Sequence, residues 1–424
     1  MWLGLVFCCT IALVAGVRSP HVDYIEELIR NQGSGNRISN NINEDATLDL
    51  PELVRKYNYP FEEHFVTTED GYILGLHRIP HGRDSNNRPG NKPVVFLMHG
   101  LLSSSADFIV MGPGSGLGYI LAEEGYDVWM GNARGNYYSR RNVRLNPDSI
   151  LSNAFWEFSW DEIGDKDLPA SIDYVLQRTG HSALHYVGFS QGTTTFFVMG
   201  SLRPEYNRKI ISMHAMAPIA FMGNNSSPLL QALAPHARRI EEMAARRGIA
   251  EFMPKMPIFT TIGKEFCVDG APTQPLCSDA MFFIAGQSGE GQHNATMLPV
   301  ILGHYPAGVA LRQIAHYGQS IASGEFKRYD HGPVTNRRRY GTATPPRYNL
   351  SKISAPVYLH YSETDPLGDI KDVERLFTEL GNLAGRIRVP MSVFSHVDFI
   401  WGVDAKTLVY NDIIRAMRSR RRQN

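Results

Sequence analysis

Short apolar runs recur along the chain and are its clearest structural signal. Residues 92–98, 184–187, 211–218 and 355–361 are each rich in aliphatic and aromatic side chains. Continuous apolar runs of this length predict strands that are buried on both faces, as in a parallel sheet covered by helices. Residues 388–394 follow a similar pattern and predict a last short strand.

A different pattern fills the interval between the third and fourth runs. Residues 219–347 carry apolar segments of helical character that are broken by Pro and Gly. We therefore predict an α/β fold in which a largely helical cap, 219–347, is inserted between two parts of a core, 17–218 and 348–424. The Met- and Phe-rich pieces 252–254 and 280–284 could line an acyl site, although such pieces more often form the core of a cap.

The amino terminus is a separate apolar stretch. Residues 2–15 are shorter than the ~20 residues that a membrane span needs, and Gly16 supplies a small residue suited to cleavage. We expect residues 1–16 to be a signal peptide and the chain to have no transmembrane segment. A secreted or lysosomal location follows, and a buried amino-terminal strand is the alternative.

Charge adds little to this picture. The chain has 42 basic and 42 acidic residues, so its formal net charge is zero. No overall field therefore favours nucleic acid as a partner. The basic residues at 418–422 are typical of a solvated tail, and binding of an anionic lipid surface by this tail is the less favoured alternative.

The cysteines indicate a disulfide. Cys8 and Cys9 fall within the predicted signal peptide, which leaves Cys267 and Cys277, ten residues apart in a stretch with Gly and Pro. In an oxidising compartment such a lone pair predicts a disulfide. A metal site would need further ligands nearby, and no metal is expected.

Four sequences of the type Asn-X-Ser/Thr predict N-glycosylation and exposure on the surface of a secretory protein. They begin at Asn224, Asn225, Asn294 and Asn349. Because the first two overlap, we expect at most one of them to be used.

A candidate nucleophile follows the second apolar run. Ser190 is the centre of Gly188-Phe189-Ser190-Gln191-Gly192, and residues 193–199 can begin a helix. The order strand, G-x-S-x-G, helix is typical of a nucleophile elbow, in which a sharp turn exposes the serine hydroxyl. By itself the pattern is loose, and a chance match in a Gly-rich loop is the alternative.

The candidate acid and base lie further along the chain, in the order Ser, acid, His. Asp365 comes in the loop after run 355–361, whereas Asp369 and Asp372 compete with it from the start of the next helix, where helix N-terminal charge explains them. His396, the last histidine of the chain, follows run 388–394.

Other histidines are weaker candidates for the base. His185 and His360 lie within predicted strands, where packing or surface exposure explains them. An oxyanion hole is predicted from the backbone N–H groups of Leu101, which follows His99-Gly100 after run 92–98, and of Gln191, which follows the nucleophile.

With these motifs the chain closely resembles the acid lipase family of gastric, lysosomal and insect lipases, within the α/β-hydrolases. The resemblance covers most of the mature chain and implies the triad Ser190, Asp365 and His396. One departure is Phe189 in the elbow, where relatives usually carry His; this bears on local packing or chain-length preference. The blocks that carry the resemblance are 59–64, 68–74, 99–102, 131–139, 158–164, 188–192 and 396–402.

The expected function is hydrolysis of the ester bonds of neutral lipids, triacylglycerols or cholesteryl esters, through an acyl-enzyme. The expected partner is lipid at a lipid–water interface, the chain is expected to be a monomer, and no cofactor is implied. Two alternatives remain. A non-catalytic lipid carrier is disfavoured because Ser, Asp and His are all present, and a short-chain esterase or peptidase is disfavoured by the resemblance and by the cap.

Overall fold

The computed structural model of the protein describes residues 40–421. The predicted signal peptide, 1–16, lies outside the described residues, as does the end of the basic tail. The strands are β1 Glu62–Thr67, β2 Ile73–Ile79, β3 Val94–Met98, β4 Asp127–Gly131, β5 Leu184–Phe189, β6 Ile210–Met216, β7 Glu251–Phe252, β8 Val309–Ala310, β9 Val357–Tyr361 and β10 Leu383–Arg388.

Helices of varied length connect these strands. The α-helices are α1 Asn40–Asp45, α2 Leu50–Lys56, α3 Leu117–Glu123, α4 Trp160–Glu162, α5 Leu168–Thr179, α6 Gln191–Leu202, α7 Pro228–Leu233, α8 Ala237–Ala245, α9 Pro257–Phe266, α10 Gln274–Ala285, α11 Leu298–His304, α12 Leu311–Ser323, α13 Pro333–Tyr340, α14 Ile370–Glu379, α15 Asp398–Trp401 and α16 Asn411–Arg421. Shorter 3₁₀ segments are Ser105–Phe108, Ala154–Trp156, Pro204–Lys209, Ala234–His236, Ala295–Met297 and Leu350–Lys352, and π-helical turns are Ile163–Asp167 and Lys406–Tyr410.

Eight strands form one sheet in the order β1-β2-β4-β3-β5-β6-β9-β10. The pairs from β4 through β3, β5, β6 and β9 to β10 are parallel, whereas β1, β2 and β4 pair antiparallel. The carboxyl ends of the parallel strands therefore meet at one edge of the sheet, which is where an open α/β sheet places its site.

The central strands are buried on both faces because helices cover the sheet on both sides. Every residue of β3, β4 and β5 is buried. Alternate residues of β3 enter different apolar clusters: Val95 and Leu97 belong to one, Phe96 and Met98 to the other. This two-sided burial is why these strands are continuous apolar runs in the sequence.

The fold confirms the predicted α/β-hydrolase class, but the prediction of the last strand was wrong. The strand β10 ends at Arg388, where the prediction 388–394 begins. In β10 the exposed residues are Arg386 and Arg388, and Ile387 between them is half-buried, as in an edge strand. Val389 still donates to Tyr361, and Pro390, which has no N–H, cannot extend the ladder.

Helices α7 to α13 and the antiparallel pair β7-β8 lie between core strands β6 and β9. A disulfide joins Cys267, just after α9, to Cys277 in α10. Of the four acceptor asparagines, Asn224 and Asn349 are exposed, Asn294 is half-buried and Asn225 is fully buried. Exposure therefore favours Asn224 within the overlapping pair.

No helix within residues 40–421 combines the length and the apolar character that crossing a membrane requires.

Candidate active site

Ser190 lies on a strained turn between β5 and α6. Its φ of 50° and ψ of −117° fall outside the regions that a residue with a side chain normally adopts. Glycines on both sides make the turn possible: a Cβ on Gly192 would lie 2.1 Å from the carbonyl oxygen of Met98, and one on Gly188 would lie 2.7 Å from the Gly192 carbonyl carbon. The two G positions of the motif are thus required by backbone crowding.

His396 connects the serine to a carboxylate. Its Nε2 lies 2.7 Å from Ser190 Oγ, and its Nδ1 lies 2.7 Å from Asp365 Oδ2. Both His396 and Asp365 are buried, and Ser190 is half-buried. The three predicted residues are therefore brought together from three different loops at the carboxyl edge of the sheet.

Backbone donors hold the second oxygen of Asp365. The N–H groups of Leu367 and Gly368 donate to Oδ1 at 2.9 and 3.0 Å, so the carboxylate has a fixed orientation toward the imidazole. In this arrangement the carboxylate accepts the Nδ1 proton, and Nε2 is left to accept the proton of Ser190.

The competing carboxylates have other partners. Asp369 is the N-cap of α14 and accepts the N–H of Lys371 at 2.9 Å. Asp372 is buried in the first turn of the same helix and accepts the backbone and side-chain N–H groups of Asn224 at 2.8 and 2.9 Å. Neither carboxylate reaches His396.

The loop that carries His396 is tied to the segment after α10, which sequence reasoning did not anticipate. His396 N donates to Ala285 O at 3.1 Å. The buried carboxylate of Asp398 accepts the N–H of Ser395 at 2.7 Å and that of Gly289 at 3.3 Å, as well as the Ser288 hydroxyl. His396 and Asp398 belong to a sequence block that resembles the acid lipase family. The sequence could not predict that residues near the end of α10 are their hydrogen-bond partners.

The two predicted oxyanion donors lie close to the nucleophile in the chain or in space. A Cβ on Gly100 would lie 3.3 Å from the Ser190 Cβ, so the loop after β3 passes directly beside the serine. Within residues 40–421, neither Leu101 N–H nor Gln191 N–H donates a hydrogen bond. Both remain available to a developing oxyanion.

Two buried polar side chains, His99 and Asp107, contact this loop. The sequence indicated His99 only as part of the His-Gly pair and did not single out Asp107. His99 Nδ1 lies 2.7 Å from Gly100 O, and its Nε2 accepts the N–H of Ala133 at 3.1 Å. Burial lowers the pKa of His99 to about 4, against the opposing effect of its bond to Gly100.

Asp107 lies on the other side of the same glycine. Its carboxylate accepts the Gly100 N–H at 3.4 Å and the Ser103 hydroxyl. Burial raises the pKa of Asp107 to about 7, although both hydrogen bonds favour the charged form.

Phe189 packs against the base. Its ring centroid lies 5.2 Å from that of His396, and the side chain is 4 % exposed. A Cβ on Gly100 would approach the Phe189 ring to 3.0 Å. The residue thus fills space between the oxyanion loop and the imidazole, which is consistent with a packing role.

The rejected histidines form a separate buried row in the sheet. His185 Nδ1 lies 2.7 Å from Ser212 Oγ, which lies 3.1 Å from His214 Nε2, and His214 Nδ1 lies 3.2 Å from His360 Nε2. Burial lowers the pKa of His360 to about 3. Packing accounts for these residues, as their place in strands predicted.

The Met- and Phe-rich pieces have mixed surroundings. Met281 packs against the main apolar cluster, whereas Phe283 is 49 % exposed, and Phe252 and Met253 are half-buried. Between residues 40 and 421, no group of three or more His, Cys, Asp or Glu side chains is placed to hold a metal ion.

Comparison with known proteins gives consistent matches. Residues 50–112 match the family model of a partial alpha/beta-hydrolase lipase region, and residues 93–244 match that of the alpha/beta hydrolase fold. Lipase 1 of Drosophila melanogaster is 43 % identical over 378 residues, which cover 89 % of this chain and 81 % of that protein.

Two human proteins match over similar lengths. Gastric triacylglycerol lipase is 39 % identical over 87 % of this chain and 91 % of its own length. Lysosomal acid lipase/cholesteryl ester hydrolase is 36 % identical over 92 % of this chain and 95 % of its own length.

Solved structures agree on the fold. A soluble variant of monoglyceride lipase from Saccharomyces cerevisiae superposes with a TM-score of 0.51 at 13 % identity, covering 85 % of this chain and 94 % of that chain. A Sulfolobus solfataricus structure reaches a TM-score of 0.54 at 14 % identity, covering 85 % of this chain and 94 % of that chain.

Proposed function

The chain belongs to the family of α/β-hydrolase lipases that includes gastric triacylglycerol lipase and lysosomal acid lipase, and on that premise we propose that Ser190, His396 and Asp365 are its catalytic triad. The observation that carries the proposal is the pair of 2.7 Å hydrogen bonds from His396 to the other two residues. The chain is a carboxylic ester hydrolase, as its relatives are.

The geometry gives each residue a role. Ser190 Oγ attacks the ester carbonyl while His396 Nε2 takes its proton and then gives it to the leaving alcohol. Asp365 holds the imidazole with Nδ1 protonated and stabilises the imidazolium that forms. Water repeats the sequence on the acyl-enzyme and releases the fatty acid.

Leu101 and Gln191 donate their backbone N–H groups to the oxyanion. Leu101 follows Gly100, which passes beside Ser190, and Gln191 follows Ser190 itself. In the described part of the chain, neither N–H donates to another partner. Removing one such donor typically costs a factor of 10²–10³ in kcat.

The substrates are esters of neutral lipids, triacylglycerols or sterol esters, met at a lipid–water interface. The names of the relatives support this class. Residues 219–347 act as a cap over Ser190 and grip the acyl chain. The contacts of Ala285, Ser288 and Gly289 with the His396 loop support the placement of this segment beside the triad.

The protein is secreted or lysosomal and reaches its compartment through the secretory pathway. Gastric and lysosomal relatives support this location. The disulfide between Cys267 and Cys277, which requires an oxidising compartment, supports it as well.

Substitution of the nucleophile tests the proposal. Ser190→Ala should lower kcat on an emulsified triacylglycerol by on the order of 10⁴ or more while leaving the fold intact. The matched control is Ser201→Ala in α6, the helix that follows Ser190. The buried Ser201 hydroxyl accepts the Asn349 N–H at 2.7 Å, and this substitution should leave kcat unchanged. Near-normal turnover by folded Ser190→Ala protein would rule the mechanism out.

A substrate panel separates the lipase from the alternative esterase. Long-chain triacylglycerol, cholesteryl ester and a short soluble ester are compared at equal enzyme concentration. A clear preference for the short ester over both lipids would contradict the proposed substrate class while leaving the triad in place.

A further inference from the structure

We propose that His99 and Asp107 are positioning residues. They form hydrogen bonds with the C=O and the N–H of Gly100 and so direct the Leu101 N–H toward the oxyanion. The inference rests on the proposed function, because it assigns a purpose to side chains only if Leu101 is an oxyanion donor. It concerns the direction of one peptide group rather than any contact with substrate.

The hydrogen-bond pattern fixes the tautomer of His99. The N–H of Ala133 can only donate, so the His99 Nε2 that it reaches at 3.1 Å must be an acceptor. The side-chain amide of Asn136 approaches the same Nε2 at 3.2 Å with its nitrogen. The single ring proton therefore lies on Nδ1, and Nδ1–H donates to the Gly100 carbonyl at 2.7 Å.

That donation sets the orientation of the next N–H. The C=O of Gly100 and the N–H of Leu101 belong to one planar trans peptide, in which they point in opposite directions. Holding the carbonyl toward the His99 ring therefore turns the Leu101 N–H away from it. Gly100 passes beside Ser190, since a Cβ added to it would lie 3.3 Å from the serine Cβ.

Asp107 holds the preceding peptide. Its carboxyl accepts the Gly100 N–H at 3.4 Å and is in turn bound by the Ser103 hydroxyl. The carboxyl is 4 % exposed, so these contacts are shielded from water. Because both peptide groups of Gly100 are bound, rotation about either of its backbone bonds would break a buried hydrogen bond.

The loop needs such support because its own backbone is strained. Leu102 has a φ of 63°, which disfavours a residue with a branched side chain. The loop belongs to neither a helix nor a strand at Gly100 to Leu102. The Leu102 carbonyl accepts the Ala307 N–H at 2.7 Å, but among residues 40–421 no backbone hydrogen bond holds the Gly100–Leu101 peptide. Without His99 and Asp107 that peptide is free to flip, and a flipped peptide would present a carbonyl to the oxyanion.

Three substitutions of His99 separate positioning from simple filling of space. In His99→Asn the amide nitrogen takes the place of Nδ1 and can still donate to Gly100, but nothing replaces Nε2. In His99→Gln the amide reaches the place of Nε2 and can still accept from Ala133, but no donor is left at the Nδ1 position. His99→Ala removes both contacts.

We expect kcat on a short soluble ester to fall by about 10- to 100-fold in the Gln and Ala variants, with KM changed less than threefold, since a misaimed donor loses part of the 10²–10³ that one donor supplies. The Asn variant should keep at least a third of the wild-type kcat. Affinity for a trifluoromethyl ketone, which forms a tetrahedral oxyanion adduct, should fall by the same factor as kcat/KM.

Asp107 is tested with the same readouts. Asp107→Asn keeps an acceptor for the Gly100 N–H and should retain most of kcat, whereas Asp107→Ala should lose about tenfold. His185→Asn, a buried histidine near the amino end of β5 and remote from the carboxyl edge, serves as the matched control and should leave kcat per folded molecule unchanged.

Equal kcat in the Asn and Gln variants of His99, or a lower value in Asn than in Gln, would overturn the inference. Ser190→Ala measured alongside keeps the two proposals apart. If that variant is inactive and His99→Gln is normal, only the positioning role fails. If it is active, the proposed mechanism fails with it.

Discussion

The helix that follows Ser190, α6, and the helices of the cap segment, residues 219–347, differ in how far their side chains are buried. In α6 every residue except Leu202 is buried, because the helix lies between the sheet and further elements. In α8 the buried residue is Glu241, which binds Arg312 and the Tyr329 hydroxyl. Large exposed apolar side chains occur on the helices of the cap segment at Leu233, Ile240, Met243, Leu276, Phe283 and Val334, and the most exposed ones of the core, Ile150 and Leu151, lie in a loop.

The difference in burial separates a helix that fixes the position of Ser190 from helices that expose apolar surface. A fully packed helix cannot shift without creating cavities, so α6 holds the elbow in place. A helix that leaves apolar side chains in water gains less from folding and retains a surface for lipid. Several backbone hydrogen bonds join the cap segment to the core, among them His396 N–H to Ala285 O at 3.1 Å and Ala307 N–H to Leu102 O at 2.7 Å.

The largest expected effect lies in the core, at the acid. Asp365→Asn should lower kcat by about 10⁴, because the amide leaves the imidazole in the wrong tautomer. Asp369→Asn keeps an oxygen that can accept the Lys371 N–H as a helix cap, so it should leave both stability and activity nearly unchanged. An inactive Asp369→Asn beside an active Asp365→Asn would reverse the assignment.

Truncation of matched apolar residues measures the contrast in packing. Phe196→Ala in α6 should lower the free energy of unfolding by about 3–5 kcal/mol through the cavity it leaves, since Phe196 is fully buried. Met243→Ala in α8, where the side chain is 44 % exposed, should change it by about 0.5 kcal/mol or less. Denaturant titration of both variants checks this, and similar losses would contradict the comparison.

Removal of the disulfide tests how much the cap segment depends on covalent support. The paired substitution Cys267→Ser and Cys277→Ser should destabilise by roughly 2–3 kcal/mol, as expected for a short closed loop. Hydrogen exchange should localise the loss to α9 and α10. Intact mass after alkylation without reductant provides the check on the native protein, and two alkylated cysteines would exclude the bridge.

Replacement of residues 219–347 by a short Gly/Ser linker tests the division into core and cap. Hydrolysis of long-chain esters should fall at least about tenfold more than that of a short soluble ester, because a bare core offers little surface for an acyl chain. Circular dichroism must first show that the shortened protein folds. Equal losses on both substrates would argue against a selective cap, and unchanged long-chain activity would exclude it.

The smallest expected effect concerns pH and Asp107. Its pKa is raised by burial from the usual 3.8 to about 7, so between these pH values the folded state keeps a proton that the unfolded state has released. The resulting stabilisation is complete below pH 3.8 and is lost as pH rises through 7. Thermal unfolding of wild type relative to Asp107→Asn should therefore show wild type losing at least about 1 kcal/mol, or roughly 1 °C for a chain of this length, between pH 4 and pH 7.

The pKa of His99 shifts in the opposite direction, so its titration cannot produce a loss of stability as pH rises. Its pKa is lowered to about 4, and its contribution is lost as pH falls. A wild-type stability that rises relative to Asp107→Asn between pH 4 and pH 7 would contradict the assignment of the raised pKa to Asp107.

The sequence predicted β3, β5, β6 and β9, misplaced β10, and did not predict β1, β2 or the fully buried β4. Runs such as 184–187 are apolar throughout because helices cover both faces, so the pattern is unambiguous. The strand β10 is an edge strand with half-buried and exposed residues, and Gly385 lies at a shift in its register. Its sequence therefore gives a weaker strand signal than the apolar run that follows it. The apolar residues Val389 and Phe394 of this run are buried in the main apolar cluster although they lie in a loop.

The sequence by itself determined the candidates for the triad, their order along the chain and the elbow around Ser190, because a G-x-S-x-G turn between a strand and a helix is a local requirement of the backbone. Only the tertiary structure decided which carboxylate reaches His396 and which cap residues hold its loop. It also decided that His99 and Asp107 meet at Gly100. The contacts of His396 join residues from distant parts of the chain, whereas those of Gly100 lie within one short segment. In both cases side-chain direction in a loop depends on the packing of neighbouring elements rather than on local sequence.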